Sequence, residues 1–417
     1  MIQAPESFCI VGADVDSQEL WIAAVLGDAH HLGQHGSTRL GWMTLQGTKA
    51  AGTDMHSMTA KTCKCTRDEA KILNYGRIYG AGVRFASQLR RQFNPDLSQM
   101  EARNLASKMY KETKGDRSYT LNEKGRELYE IVHGRTIEQG DFVNKRTMSK
   151  LVGMWKKKRE VLKKRHAKGK YAVNDLGAQL VEQLDPDWDP EALTMSQLGS
   201  LLYELKLPQW EEGDDSYRKG IKDLAATSRW VDGSESHTFN RLEEIALSTQ
   251  PRTPVLGCRI SQMLETKMVG EDYLPSRINW VVQSSAVDYL HLLLSAMNWL
   301  VETNGLRARF LISIHDEVRY LVHKEDKDKL VMCLQVSNLL VRSMFASRLG
   351  MTNLPLDVAF FSEVDVDSVM RKDPKSECVT PSNPRGLTQG HGIPKGETVS
   401  VEETMELFQA HPQSLRN

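Results

Sequence analysis

Residues 8–15 (FCIVGADV) carry apolar side chains on consecutive positions and end at an acid, the pattern of a short strand buried on both faces. The next stretch, SQELWIAAVL (17–26), predicts a helix. Two further helices are expected within 53–115, one carrying His56 and one from about Thr66 to Tyr79, where Gly80-Ala81-Gly82 supplies a stop. Regular patterning returns at 279. NWVVQSSAVDYLHLLLSAMNWLVE (279–302) reads as a long amphipathic helix, and ARFLISIHDEVRYLV (308–322) as two strands of a hairpin with His315, Asp316 and Glu317 at its tip. A helix over 324–348 and a final strand over 354–367 complete the pattern. Strand and helix, then a helical stretch, then helix, hairpin, helix and strand point to an α+β fold with an antiparallel sheet. No internal repeat is visible.

Residues 116–230 differ. Basic WKKKREVLKKRHAKGK (155–170) is followed by acidic EQLDPDWDPE (182–191) and EEGDD (211–215), with little apolar periodicity. The segment reads as a helical, partly mobile insertion, with disorder expected near 166–190. The basic run has the charge to track a phosphate backbone, but such runs are common and it reads first as a solvated helix face.

Fifty-four Lys and Arg balance 54 Asp and Glu, so the chain lacks the basic surplus common in nucleic-acid enzymes. A ligand feels the local groove and not the average, so nucleic acid stays open as a partner. Six scattered cysteines do not make a disulfide framework. Cys63-Lys-Cys65 has no second pair at zinc spacing, so free thiols and a reducing compartment are expected. No run of about eighteen apolar residues predicts a membrane span. The first residues fit neither a signal peptide nor an Arg-rich transit peptide, and the immediate entry into a strand suggests a domain whose beginning lies upstream.

Two acids stand at strand ends roughly three hundred residues apart: Asp14 and, on the hairpin tip, Asp316. On adjacent strands they would collect hard divalent cations, the arrangement that serves phosphoryl transfer. Singly, each reads as a turn or cap residue. Arg67, Lys71, Tyr75 and Tyr79 recur every fourth position along one drifting helix face, cations first and rings after. The cations suit a polyphosphate and the rings a sugar and base, while a tyrosine stripe at this spacing fits a core equally well.

Asp14-Val15-Asp16-Ser17-Gln18-Glu19-Leu20, Thr53-Asp54-x-His56-x-x-Thr59-Ala60, Arg67-x3-Lys71-x3-Tyr75-x3-Tyr79-Gly80 and His315-Asp316-Glu317 occur here in that order. In this the chain resembles the family A DNA polymerases. GADVDSQELWIA, NYGRIYGAG, PRTPVLGC, NWVVQSSAVDYLHL, SIHDEVRYLV and TPSNP are close to the mitochondrial branch of that family and extend the resemblance over roughly 1–115 and 230–395.

The resemblance implies a DNA-directed DNA polymerase that replicates mitochondrial DNA, located in the matrix and nucleoid. Its partners would be primer–template DNA, dNTPs and an accessory processivity subunit. It implies a palm in two parts (1–52 and 251–375), helical fingers (53–250, including the insertion) and a C-terminal tail (376–417), with the thumb and exonuclease domain absent. On that arrangement the first palm strand is expected to lack neighbours to pair with. Asp14 and Asp316 would be the catalytic carboxylates, holding two Mg²⁺ ions (or Mn²⁺) with the Val15 carbonyl. Glu19 would exclude a 2′-hydroxyl; His56, Arg67 and Lys71 would hold the triphosphate, with Lys71 also donating a proton to pyrophosphate. Tyr75 would sit by the sugar and Tyr79 by the nascent base pair. Gln283 and Asn279 would reach the DNA minor groove, and His315 and Glu317 would support primer and metal. Without a family frame, Glu19, Gln283 and His56 read as ordinary surface or helix-start residues. Asp16, Glu363, Asp365 and Asp367 read as caps or salt-bridge partners. The rival readings are an inactive fragment that binds DNA or a partner, a single-subunit RNA polymerase and, less well matched to the tyrosines, a metal-dependent nuclease.

Overall fold

The apolar run at residues 8–14 is explained by its neighbours in a computed structural model, which describes residues 2–46, 51–166, 215–270 and 272–410. In chain order the elements are β1 (Phe8–Asp14), α1 (Gln18–His31), α2 (Arg39–Gln46), α3 (Met55–Cys63), α4 (Arg67–Ile78), α5 (Val83–Phe93) and α6 (Gln99–Thr113). There follow β2 (Gly115–Leu121), α7 (Glu123–His133), β3 (Phe142–Asn144), α8 (Lys145–His166), α9 (Asp215–Leu224), β4 (Ala225–Asp232) and α10 (Ser236–Leu247). The last part holds α11 (Thr266–Val269), α12 (Leu274–Thr303), β5 (Ala308–Ile314), β6 (Glu317–His323), α13 (Lys327–Arg348), β7 (Glu363–Asp367), α14 (Gly386–His391), β8 (Glu397–Ser400) and α15 (Val401–Ala410). Two compact units result, Met1–Tyr110 with His237–Asn417, and Lys111–Ser236.

In the first unit the sheet order is β5-β6-β1-β7-β8, antiparallel at each pairing. The first strand therefore does not lack neighbours, contrary to expectation: β1 is central, paired from Phe8↔His323 to Asp14↔Glu317 on one side and from Ile10↔Asp367 to Gly12↔Asp365 on the other. A strand buried on both faces and bonded at both edges has no use for polar alternation. Gly12 is required there, because a Cβ would lie 2.2 Å from the Val318 carbonyl and 2.4 Å from the Arg319 side chain. The missing side chain leaves the space in which Arg319 lies.

The final strand is shorter than its apolar run suggests. Only Glu363–Asp367 pairs, while Leu356–Val358 forms a 3₁₀ turn. Ahead of it, Ala359 and Phe361 are buried in a loop, with backbone groups satisfied by amides of α13. Gln335 donates to the Phe361 carbonyl at 3.0 Å and accepts from its N–H at 2.8 Å, and Asn338 donates to the Ala359 carbonyl at 3.2 Å. Side chains thus replace the strand partner that a buried backbone otherwise needs.

The second unit corrects the reading of 116–230 as simply helical. It holds an antiparallel sheet, β3-β2-β4, and its own core of Tyr119, Leu128, Tyr129, Val143, Met148, Leu151 and Leu224. Strands β2 and β4 are separated by about a hundred residues, so no local periodicity announces their pairing. The expected disordered stretch near 166–190 lies outside the described residues, as do most of the acidic blocks.

Trp21 of α1, Tyr289 of α12 and Phe345 of α13 meet in the first unit's core, with ring centroids 5.3–6.2 Å apart. The Arg342 guanidinium lies 4.1 Å over the Trp21 ring and donates to the Tyr289 hydroxyl at 2.9 Å, so a buried cation is spent on aromatic faces and a phenol. The Lys324–Arg348 segment is long and apolar enough to cross a membrane by length and composition, but 67% of that window is buried within the structure, as befits a core helix.

Asp28 is fully buried at the end of α1. It accepts hydrogen bonds from His35, from the Gly36 and Thr38 N–H groups and from the Thr38 hydroxyl, at 2.6–2.8 Å. Burial opposes its ionisation, yet these donors together hold its pKa below the usual carboxylate value. The stabilisation is present above the ordinary carboxylate pKa and lost as pH falls through the lowered one. Asp28→Asn should cost about 2 kcal/mol or more at neutral pH. In thermal unfolding measured against pH, the gap to the wild type should narrow below about pH 4.

Candidate active site

All of the proposed site lies within the first unit and begins with the register of β1 on β6. Asp14 is the last residue of β1 and pairs with Glu317, the first of β6, while the Val15 N–H donates to the Asp316 carbonyl at 3.0 Å. Asp14 and Asp316, roughly three hundred residues apart in sequence, thus stand side by side at the sheet's end. The β5–β6 turn is only His315-Asp316, and His315 takes φ 58°, the left-handed region where a two-residue hairpin favours glycine. A non-glycine residue held there is strained by its surroundings.

Burial first, then the charge of Asp14, push the Asp316 pKa up to about 6. Two acids this close repel one another, and a divalent ion would relieve that repulsion. Among the described residues no group of three or more His, Cys, Asp or Glu is arranged to hold an ion by itself. Two carboxylates alone fit an ion that completes its shell with other oxygens.

A cavity of about 770 Å³ opens beside Asp316, lined also by His315, Glu19, Lys71, Tyr75, Tyr79 and Gln283. Helix α4 is set by a complete capping box: Glu69 N–H donates to the Thr66 hydroxyl, and Thr66 N–H to the Glu69 carboxylate. Beyond its end, Gly80 (φ 84°) passes so close to Pro275 that a Cβ would lie 2.9 Å from the Pro275 Cα. This contact seats the Tyr79 end of the helix against the start of α12.

Along α4, Lys71 lies 5.8 Å over the Tyr75 ring, and the Tyr75 and Tyr79 centroids are 5.8 Å apart. Tyr79 donates to Glu19 of α1 at 2.5 Å, tying the two helices together. Burial, followed by the charges of Glu19, Asp316 and Asp14, raises the Tyr75 pKa to about 12, so this phenol faces the acidic end of the site. Burial and the bond to Glu19 raise that of Tyr79 further.

The remaining residues take less direct positions. Arg67 is held by Asp54, the N-cap of α3, at 2.8 and 3.3 Å. His56 is buried, stacks 5.9 Å from Tyr75 and is bonded to the Asn74 amide at 3.1 Å. On α12, Asn279 donates to Gln283 at 3.2 Å, one turn apart, and Gln283 reaches Tyr79. Asp16 accepts from both the N–H and the hydroxyl of Ser362 at 3.0 Å, and Asp365 and Asp367 pair with Arg319 and Arg371. Asp365 and Asp367 are thus salt-bridge partners, as read from sequence, and Asp16 binds a loop serine.

The sequence reading missed Lys372 and Arg319. Lys372 donates to Asp14 and, at 2.9 Å, to Glu317; Arg319 pairs with Glu317 at 2.5 Å and with Asp365 at 2.9 Å. Arg319 stood inside an apolar run and offered a signal, as a charge a buried strand must pair. Lys372, in a turn-rich stretch, offered none.

Relatives of known kind match almost the whole chain. It is 45% identical over 407 residues to DNA polymerase subunit gamma-1 of Xenopus laevis, covering 98% of this chain and 29% of that protein. The Gallus gallus protein of the same name is 44% identical over 407 residues, covering 98% and 54%. DNA polymerase gamma of Saccharomyces cerevisiae is 38% identical over 406 residues, covering 97% and 24%. The chain is thus similar to DNA polymerase gamma proteins along almost its whole length. It spans about a quarter to a half of the length of these relatives. No protein-family model matches. The POL domain of Pol1 from M. smegmatis, solved with DNA primer-template and dNTP, aligns with 88% of the chain and 40% of its own at 14% identity and a TM-score of 0.36.

Burial first, then the charge of Arg67, bring the His56 pKa down to about 4. An NMR titration of the imidazole C–H signals should therefore show His56 neutral throughout pH 5–8. A midpoint near 6.5 would mean that the ring is not enclosed as described.

Proposed function

We propose that this chain carries the nucleotidyl-transfer site of a template-directed DNA polymerase, joining dNTPs to a primer 3′-hydroxyl in mitochondrial DNA replication. The observation that carries the reading is the meeting of Asp14 and Asp316 beside a cavity walled by Lys71, Tyr75, Tyr79 and Glu19. The shared name of the relatives supports it, and mitochondrial location follows from relatives named as mitochondrial.

In this reading the five-stranded sheet with α1, α12 and α13 is a palm, and α3 to α6 are fingers. Asp14, Asp316 and the Val15 carbonyl would hold two Mg²⁺ ions. Bound there, divalent ions would activate the attacking hydroxyl and neutralise the leaving oxygen. The remaining work falls to the chain's own side chains. Lys71, exposed at the cavity rim, would meet the triphosphate and protonate pyrophosphate as it leaves. Arg67 could join it only by leaving Asp54, so triphosphate contact would entail opening that pair. His56, neutral, is limited to one donor and would orient phosphate or Tyr75 without adding charge.

Tyr75 and Tyr79 would form the wall against sugar and base. Glu19, fixed by the Tyr79 hydroxyl, would leave no room under the sugar for a 2′-hydroxyl. Gln283 with Asn279 would take a minor-groove acceptor, a position whose pattern hardly varies with sequence. His315 and Glu317 would brace the primer end and the metal carboxylates.

Primer extension by the purified protein tests this. Asp14→Ala and Asp316→Ala should each lower the rate by roughly a hundredfold or more, and extension equal to wild type would end the reading. A second expectation separates DNA from RNA synthesis. Glu19→Ala should relax the preference for dNTP over rNTP by about tenfold or more, read as the ratio of kcat/KM values. An unchanged ratio would take the sugar-sensing role away from Glu19.

A further inference from the structure

Lys372 is an exposed lysine with a defined place. The residues around it are fixed: Met370 N–H donates to the Ile2 carbonyl at 2.9 Å, and Gln3 bridges to Val369. Arg371 turns inward, buried, and bonds Asp367 and the Ser376 and Pro394 carbonyls. Lys372 then points the other way, to the sheet's end, where its ammonium bridges Asp14 and Glu317. The two acids differ. Glu317 is buried and keeps a second cation, Arg319, whereas Asp14 is exposed and has Lys372 alone among its ion pairs between described residues.

We infer that Lys372 is a resident counter-cation of the carboxylate site, occupying an Asp14 oxygen that a divalent ion must take over, and so sets how tightly the metal-free protein admits that ion. This rests on the reading of Asp14 and Asp316 as metal carboxylates. The physical case is competition. An ammonium at hydrogen-bond distance and a divalent ion cannot both use the same carboxylate lone pairs at full strength. A lysine suits this because its point charge rides on a flexible stem, so it can withdraw without moving the backbone. Its 71% exposed side chain has solvent to withdraw into. Glu317 gives it a second anchor when displaced, and the site is not left with an unpaired buried acid because Arg319 stays on Glu317. Lys372 is therefore a positioning residue that acts through Asp14.

Mn²⁺ binding to the protein without DNA or nucleotide, followed by electron paramagnetic resonance of the free ion, tests this without reference to activity. Lys372→Met should bind Mn²⁺ roughly fivefold or more tightly than wild type. Lys372→Arg, which keeps the charge, should stay near wild type, and Lys375→Met, removing an exposed neighbouring charge that does not reach the site, should change nothing. A loss of local structure would weaken binding in Lys372→Met, the opposite sign. Equal or weaker binding by Lys372→Met, in a protein whose Mn²⁺ site is abolished by Asp316→Asn, overturns the role of Lys372 while leaving the metal site standing. Mn²⁺ binding that survives Asp316→Asn unchanged overturns the metal-site reading itself, and the inference with it.

Discussion

The antiparallel register of β1 against β6 is the constraint on which the rest of the site depends. It sets Asp14 opposite Glu317 and brings the Val15 N–H to the Asp316 carbonyl, so the last residue of one strand and the tip of a distant hairpin become neighbours. A slip by one residue would turn Asp14 toward the other face and drive the side chains of Val11 and Ala13 out of the core. The register is in turn enforced by burial: β1 is buried along nearly its whole length, with α13 packed against it and strands at both edges. Gly12 adds a local lock, because Arg319 fits only where no side chain exists. The same Arg319 holds Glu317 and Asp365, so the strand order and the charge order of the site are one arrangement.

That charge order also answers the neutral composition. The chain has equal numbers of acids and bases, but at the sheet's end the ion pairs made by Asp14, Glu317 and Asp365 among the described residues are with Arg319 and Lys372. The local surplus is negative, and the charge of Asp14 adds to burial in raising the Asp316 pKa. Lys71 faces it from the rim of the cavity. Bulk neutrality thus conceals two poles, and net charge was a poor guide to what this surface attracts.

Much of the fold was legible because the determinants are local. The strand at 8–14, the helix starts at Asp54 and Thr66 with its Glu69, and the hairpin at 308–323 each carry their own signal in pattern or cap. What failed was non-local. The pairing of β2 with β4 leaves no periodic trace across the intervening residues, and the loop around Phe361 keeps a strand-like apolar run because it is buried. There, amides of α13 do the bonding that a strand partner would have done. In the site, the acids and tyrosines stood out by spacing. Lys372 did not, since its importance comes from a buried neighbour, Arg371, that fixes which way the chain faces.

The helix carrying the tyrosines is fastened at its two ends in different ways. At its start Arg67 is tied to Asp54 by two hydrogen bonds, a partly buried two-point pair. At its end Tyr79 is bonded to Glu19, and Gly80 is pressed against Pro275. Both contacts are partly buried, and the ends differ in kind: side chain to side chain at Arg67, and a side-chain bond backed by the close backbone approach of Gly80 to Pro275 at Tyr79.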